Sequence, residues 1–165
     1  MPYSKFLMWL RTDQREIIHS VRTAVAVVAS VLIARLVRLP ESYWAGITTL
    51  IVMQSTLGAA WTISKQRLAG TALGAVMGAL LSAYAGENMV VFGAGVFVLG
   101  VICAWLRIAR NAYRYAGITL TIVMLIARTQ PAWIIGIHRF FEISMGIAVG
   151  LALTAVWPEP QPDGV

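Results

Sequence analysis

The chain is made of apolar runs, each close to the ~20 residues that an α-helix needs to cross a hydrocarbon core. Six can be read: 19–38, stopping before Leu39-Pro40; 42–60; 65–85, ending at Gly86-Glu87-Asn88; 89–108; 112–128, before Pro131; and 133–157, before Pro158. Inside lipid only helices and closed barrels satisfy their own backbone groups. The runs lack the ~10-residue alternation of a barrel strand. The sequence therefore predicts one all-α integral membrane domain of six transmembrane helices over 19–158. A cytoplasmic or interfacial segment, 1–18, precedes it, and a proline-rich polar tail, 159–165, is expected to be disordered.

Only 12% of the residues are charged, against ~25% in a soluble domain, yet the net charge is +6. In a soluble protein this would point to nucleic acid. Here the basic residues fall between spans and set topology instead, so no nucleic-acid partner is expected. With the N-terminus inside, the cytoplasmic face carries Lys5, Arg11, Arg15, Lys65, Arg67, Arg107, Arg110 and Arg114, and the outer face Arg35, Arg38, Arg128 and Arg139. Both termini are thus expected in the cytoplasm. Trp9, Trp44, Trp61, Trp105, Trp133 and Trp157 fall at predicted span ends, as an aromatic belt requires. The first run is too long for a signal-peptide core, so no cleavable signal is expected. Lys5–Leu10 reads as a short interfacial segment, and Asp13 with Glu16 resembles a capping box that starts a helix.

The lone Cys103 and the distant His19 and His138 offer neither a metal cluster nor a nucleophile–base set. No metal, no cofactor and no enzymatic activity are expected.

The chain also repeats itself. Trp44-Ala45-Gly46-Ile47-Thr48-Thr49-Leu50-Ile51-Val52-Met53 aligns with Tyr115-Ala116-Gly117-Ile118-Thr119-Leu120-Thr121-Ile122-Val123-Met124, with seven of ten pairs identical. One further residue of offset pairs Arg67 with Arg139, Gly74 with Gly146, Gly78 with Gly150, and Arg35 and Arg38 with Arg107 and Arg110. Each copy holds three spans, an odd number, so the second must enter the membrane upside down. Inverted repeats are characteristic of transporters, whose halves meet around a site near the midplane.

Arg67 and Arg139 are the leading candidates to bind a substrate. Each is expected in the first turn of its span, where free N–H groups and the helix dipole favour an anion. A guanidinium fork suits a carboxylate. One is expected at the cytoplasmic mouth of a pathway, the other at the outer mouth. Headgroup anchoring is the competing reading. Glu142 is the one acid placed within a span, three residues after Arg139 and four after His138. It is a candidate proton carrier, or the partner of Arg139 in a structural pair. Thr48, Thr49, Gln54, Ser55, Thr56, Thr119 and Thr121 are candidates to line the path, or to bond between helices. Tyr43, Trp44, Tyr113 and Tyr115 are candidates to touch an aromatic substrate, or to anchor at the interface. Gly70, Gly74 and Gly78, with Gly146 and Gly150, give the small-residue spacing that lets helices approach closely.

Leu39-Pro40-Glu41-Ser42-Tyr43-Trp44-Ala45, Gln54-Ser55-Thr56-Leu57-Gly58, Arg67-Leu68-Ala69-Gly70-Thr71-Ala72-Leu73-Gly74 and Arg139-Phe140-Phe141-Glu142-Ile143-Ser144-Met145-Gly146 resemble the fusaric acid resistance family, also called aromatic acid exporters. The resemblance spans about 20–158, ending near Trp157-Pro158. It implies efflux of aromatic carboxylic acids, driven by protons. The similar six-helix unit of plant malate channels implies a passive anion pathway as a variant. Larger exporters carry two membrane units and soluble regions, whereas one short unit is present here. A homo-oligomer, most simply a dimer, is expected to supply the second unit. A periplasmic adaptor protein is a possible further partner. A non-transporting membrane scaffold or subunit is the alternative class.

Overall fold

The computed structural model describes residues 3–54, 56–85, 88–126 and 130–158, with side chains from residue 16 onward. They form six helices: α1 (Tyr3–Leu36), α2 (Tyr43–Val52), α3 (Leu57–Ala85), α4 (Met89–Trp105), α5 (Arg110–Leu125) and α6 (Ala132–Val156). Three segments are long and apolar enough to cross a membrane: Glu16–Leu36 of α1, α3 and α6. The solvent logic is that of a protein in lipid. Val21, Val25, Val28, Leu32 and Leu36 expose one stripe of α1, while Arg22, Ser30, Thr48, Thr71, Arg139 and Glu142 are buried. In water that pattern would be inverted.

Two boundaries depart from the sequence reading. α1 is already helical at Tyr3, so Asp13 lies inside it and starts nothing, and the boundary expected at residue 18 falls within one continuous helix. The span expected over 42–60 breaks in the middle. α2 ends at Val52, Met53 is extended, and α3 begins at Leu57, eight residues before the expected 65. The break needs no glycine or proline because other groups satisfy its backbone. Arg22, from α1, donates to the Gln54 carbonyl at 2.9 Å, and the Gln54 amide donates to Ile51 O at 3.1 Å. The Thr56 hydroxyl accepts the Ala59 N–H at 3.2 Å and so caps α3. Asn88 caps α4 in the same way, accepting from Val90 N–H. The expected loop residues Gly86, Glu87 and Arg128, the path candidate Ser55 and the tail 159–165 lie outside the described residues.

α1 and α4 end in the same motif. Arg38 has φ 60° and Arg107 has φ 52°. Arg38 N–H bonds Arg35 O and Leu39 N–H bonds Ala34 O; Arg107 N–H bonds Ala104 O and Ile108 N–H bonds Cys103 O. These left-handed caps close the last turn as a glycine would. They also correct the alignment: the structural counterpart of Arg38 is Arg107, not Arg110.

Helix packing is reciprocal between the halves. A Cβ on Gly74 would meet Ala116 O at 2.3 Å and Thr119 Cβ at 2.9 Å; one on Gly146 would meet Ala45 O at 2.4 Å and Thr48 Cβ at 2.7 Å. Gly78 faces Val123 and Gly150 faces Val52. α3 therefore lies along α5, and α6 along α2, each helix seated on the other half's repeat segment. α3 and α6 run in opposite directions, with Gly136 near Ala75, and Arg139 and Ile143 near Arg67 and Thr71.

Candidate functional site

The crossing of α2, α3, α5 and α6 buries two arginines. Arg67 is the eleventh residue of α3 and Arg139 the eighth of α6. Neither stands in a first turn: α3 begins eight residues before the expected 65, and in α6, which begins at Ala132, Arg139 already lies in the second turn. The free N–H groups of a helix start are thus not part of this site. Both side chains border one narrow cavity, together with Trp44, Thr71, Tyr115, Thr119 and Ile143. Its free volume of about 10 Å³ holds at most one water molecule.

The two guanidinium groups have matching platforms and unlike counterions. Arg67 lies 4.9 Å from the Tyr115 ring centroid and Arg139 lies 4.5 Å from that of Trp44. Tyr115 and Trp44 are aligned positions of the repeat. Arg139 is held by two acids: Glu142 at 3.2 Å from Nη1, and Glu41 at Nη2. Arg67 has none. Its Nε donates to the Thr48 hydroxyl at 3.2 Å, and among the described residues no carboxylate pairs with it. The position equivalent to Glu142 is Gly70, so the second half carries an acid where the first carries the glycine seated against Ala112. The Thr71 hydroxyl, one turn beyond Arg67, is buried with no hydrogen-bond partner.

Glu41, which falls between the expected spans 19–38 and 42–60, belongs to this site. One oxygen of its carboxylate, Oε2, accepts from Tyr43 O–H at 2.6 Å, from Trp44 Nε1–H at 3.2 Å and from Arg139. Its backbone N–H donates to Glu142 Oε1 at 2.8 Å. Burial works to raise the Glu41 pKa. The Tyr43 hydroxyl and Arg139 outweigh it, with the Arg139 and His138 charges adding, and hold the carboxyl below its ordinary value.

The other candidates are spread more widely. Thr48 and Thr119 are buried at or beside the cavity; Thr119 donates to Tyr115 O and Thr49 to Ala45 O and Gly146 O. Thr121 is exposed and bonds Gly117 O, and Thr56 caps α3. Gln54 sits in the break after α2, away from the cavity. Tyr113 packs against α4 near Gly100. Besides Glu41, two residues went unmarked in the sequence: Thr71, and Arg22, fully buried and bonded to Trp157 O at 2.8 Å and Gln54 O at 2.9 Å. A lone arginine within an apolar run was the available sign of the latter.

A family model for fusaric acid resistance protein-like proteins matches residues 26–153. The chain belongs to this family. It is 26% identical over 148 residues to "Inner membrane protein YeeA" of Escherichia coli K12, covering 87% of this chain and 41% of that protein. It is also 26% identical over 161 residues to "Uncharacterized transporter YdhK" of the same organism, covering 92% of this chain and 24% of the relative. It thus spans less than half the length of these curated relatives. No solved structure matches it. Family membership and the lipid-facing apolar helices together make it a multi-pass membrane protein of the fusaric acid resistance-like class.

Proposed function

We propose that this family member moves small organic anions, aromatic carboxylates foremost, across a bacterial inner membrane. The observation that carries the reading is Arg67, a buried guanidinium that no acid among the described residues pairs with. A buried charge normally has a counterion, and intramembrane ionisable groups mark transport paths. Tyr115 and Trp44 beside the arginines offer faces to an aromatic ring, and the unpartnered Thr71 hydroxyl offers a further polar contact. The relatives' printed names, an inner membrane protein and transporters, agree with this setting. The tight cavity corresponds to a closed form.

Two inverted three-helix halves spanning the membrane six times fit the reciprocal glycine contacts and the opposed directions of α3 and α6. In this reading the halves move against each other to expose the arginines to either side. Glu142, pinned between Arg139 and the Glu41 backbone, acts as a fixed counterion rather than a proton carrier. A two-fold homo-oligomer would supply the second membrane unit that longer members carry in one chain.

The test is flux of labelled benzoate from proteoliposomes, with and without a pH gradient. Saturable flux that Arg67→Gln abolishes supports the reading. Acceleration by the gradient that survives in Glu142→Gln places proton coupling elsewhere. Downhill flux indifferent to the gradient indicates a passive pathway. Zero flux from folded protein identifies a non-transporting subunit.

A further inference from the structure

We propose that the Glu41 carboxylate is a tethered stand-in for the transported anion, occupying a carboxylate seat on Arg139 that a ligand takes by displacing it. This rests on the anion-transport reading above and adds a specific exchange to it.

The seat is built for one carboxylate oxygen. Three donors from two helices converge on Glu41 Oε2: the Tyr43 hydroxyl, the Trp44 indole N–H and the Arg139 guanidinium. Its occupant is the least anchored member of the group. Arg139 is 2% exposed and Glu142 is 1% exposed, both on the rigid α6. Glu142 is further fixed by the Glu41 N–H. The Glu41 side chain, by contrast, is 40% exposed and stands in the short turn between α1 and α2. A half-exposed ion pair holds its partner weakly. The acid can therefore leave toward solvent while the donors stay in place.

Charge balance favours the exchange. Arg139 already faces two acids, Glu142 at Nη1 and Glu41 at Nη2. An anion entering with Glu41 still seated would set a third negative charge against one guanidinium, which is costly away from water. An anion entering as Glu41 swings out leaves the charge around Arg139 unchanged. The same event removes one of the two bonds between the α1–α2 turn and α6, while the Glu41 N–H keeps its bond to Glu142. Release of the ligand lets the Glu41 carboxylate return.

The experiment is calorimetric titration of benzoate, and of uncharged benzamide, into the full chain in detergent. Wild type, Glu41→Gln, Glu41→Ala and Arg67→Gln are compared. The expected result is that Glu41→Gln binds benzoate about fivefold more tightly than wild type, the range a half-exposed charge pair commands, while benzamide affinity is unchanged. Glu41→Ala should shift in the same direction and carries the test if Glu41→Gln does not fold. Unchanged or weaker benzoate binding in a folded variant overturns the exchange. So does an equal gain for benzamide, which would report loosening alone. Wild-type binding that Arg67→Gln abolishes and the Glu41 variants leave unaltered defeats the exchange but spares the transport reading. No benzoate binding by any variant defeats both.

Discussion

The guanidinium of Arg67 rests 4.9 Å from the centre of the Tyr115 ring with no acid among the described residues beside it, whereas its counterpart Arg139 rests on Trp44 between two glutamates. One geometry thus serves two electrostatic ends. Replacing each arginine by methionine separates them. Arg67→Met removes an uncompensated buried charge and should raise unfolding stability by about 1–2 kcal/mol while carboxylate flux falls about 10- to 100-fold. Arg139→Met strands Glu142 and should cost about 3 kcal/mol. Thermal unfolding in detergent, set beside proteoliposome flux, checks both signs.

The reciprocal glycine contacts predict matched damage. Alanine at Gly74 or Gly146 would place its Cβ within 2.4 Å of a backbone oxygen on the opposite half. Backbone cannot yield as a side-chain tip can, so each substitution should cost about 1–3 kcal/mol. Gly117, with nothing within 4 Å of its added Cβ, is the control. There alanine should be neutral, or stabilising by up to about 1 kcal/mol through helix propensity. Paired melting curves of the three variants decide it.

Acid should loosen the Glu41 contact. Its folded pKa is lowered, so its stabilisation is complete above the unfolded carboxyl value and is lost as pH falls through the folded one. The groups facing it are Tyr43, Trp44, Arg139, His138 and the Glu142 carboxylate. The predicted outcome is a change in Trp44 emission, as pH falls below the ordinary glutamate range, that Glu41→Gln lacks. It is read in a background where the other tryptophans are phenylalanine.

Arg22 should prove a helix clamp. Its two terminal nitrogens tie the end of α6 to the chain leaving α2, through Trp157 O and Gln54 O. Arg22→Met should cost about 2 kcal/mol, because two bonds from a charged donor to partly buried carbonyls are lost. Arg22→Lys should recover little of this, since a point ammonium cannot span both acceptors as a planar fork does. Chemical denaturation of both variants distinguishes the cases.

Much of the fold could be read from local chemistry. Asn88 and Pro131 punctuate the starts of α4 and α6, and the apolar runs between them set the helices. The break after Val52 could not be read this way. Ile47–Met53 is uniformly apolar or β-branched, without a local stop, and the group that satisfies the freed carbonyl arrives from residue 22. The repeat marked Arg67 and Arg139 as a pair. It placed them at opposite mouths because each was taken to stand in the first turn of its span, whereas Arg67 is the eleventh residue of α3 and Arg139 the eighth of α6. Their convergence on one cavity depends on helix length and crossing, which no local pattern carries. Glu41 was hidden for a similar reason: as a turn residue it looked solvated, and only the fold brings α6 beneath it.

The exchange of packing surfaces between Gly74 and Ala116, and between Gly146 and Ala45, has a consequence for biosynthesis. When α3 leaves the ribosome, the helix it will lie against does not yet exist, and its glycine face meets lipid or whatever else is at hand. The first half must wait, unfinished, for some forty residues of further translation. Synonymous changes that slow elongation between α3 and α5 would lengthen that wait, and should lower yield without altering a single amino acid.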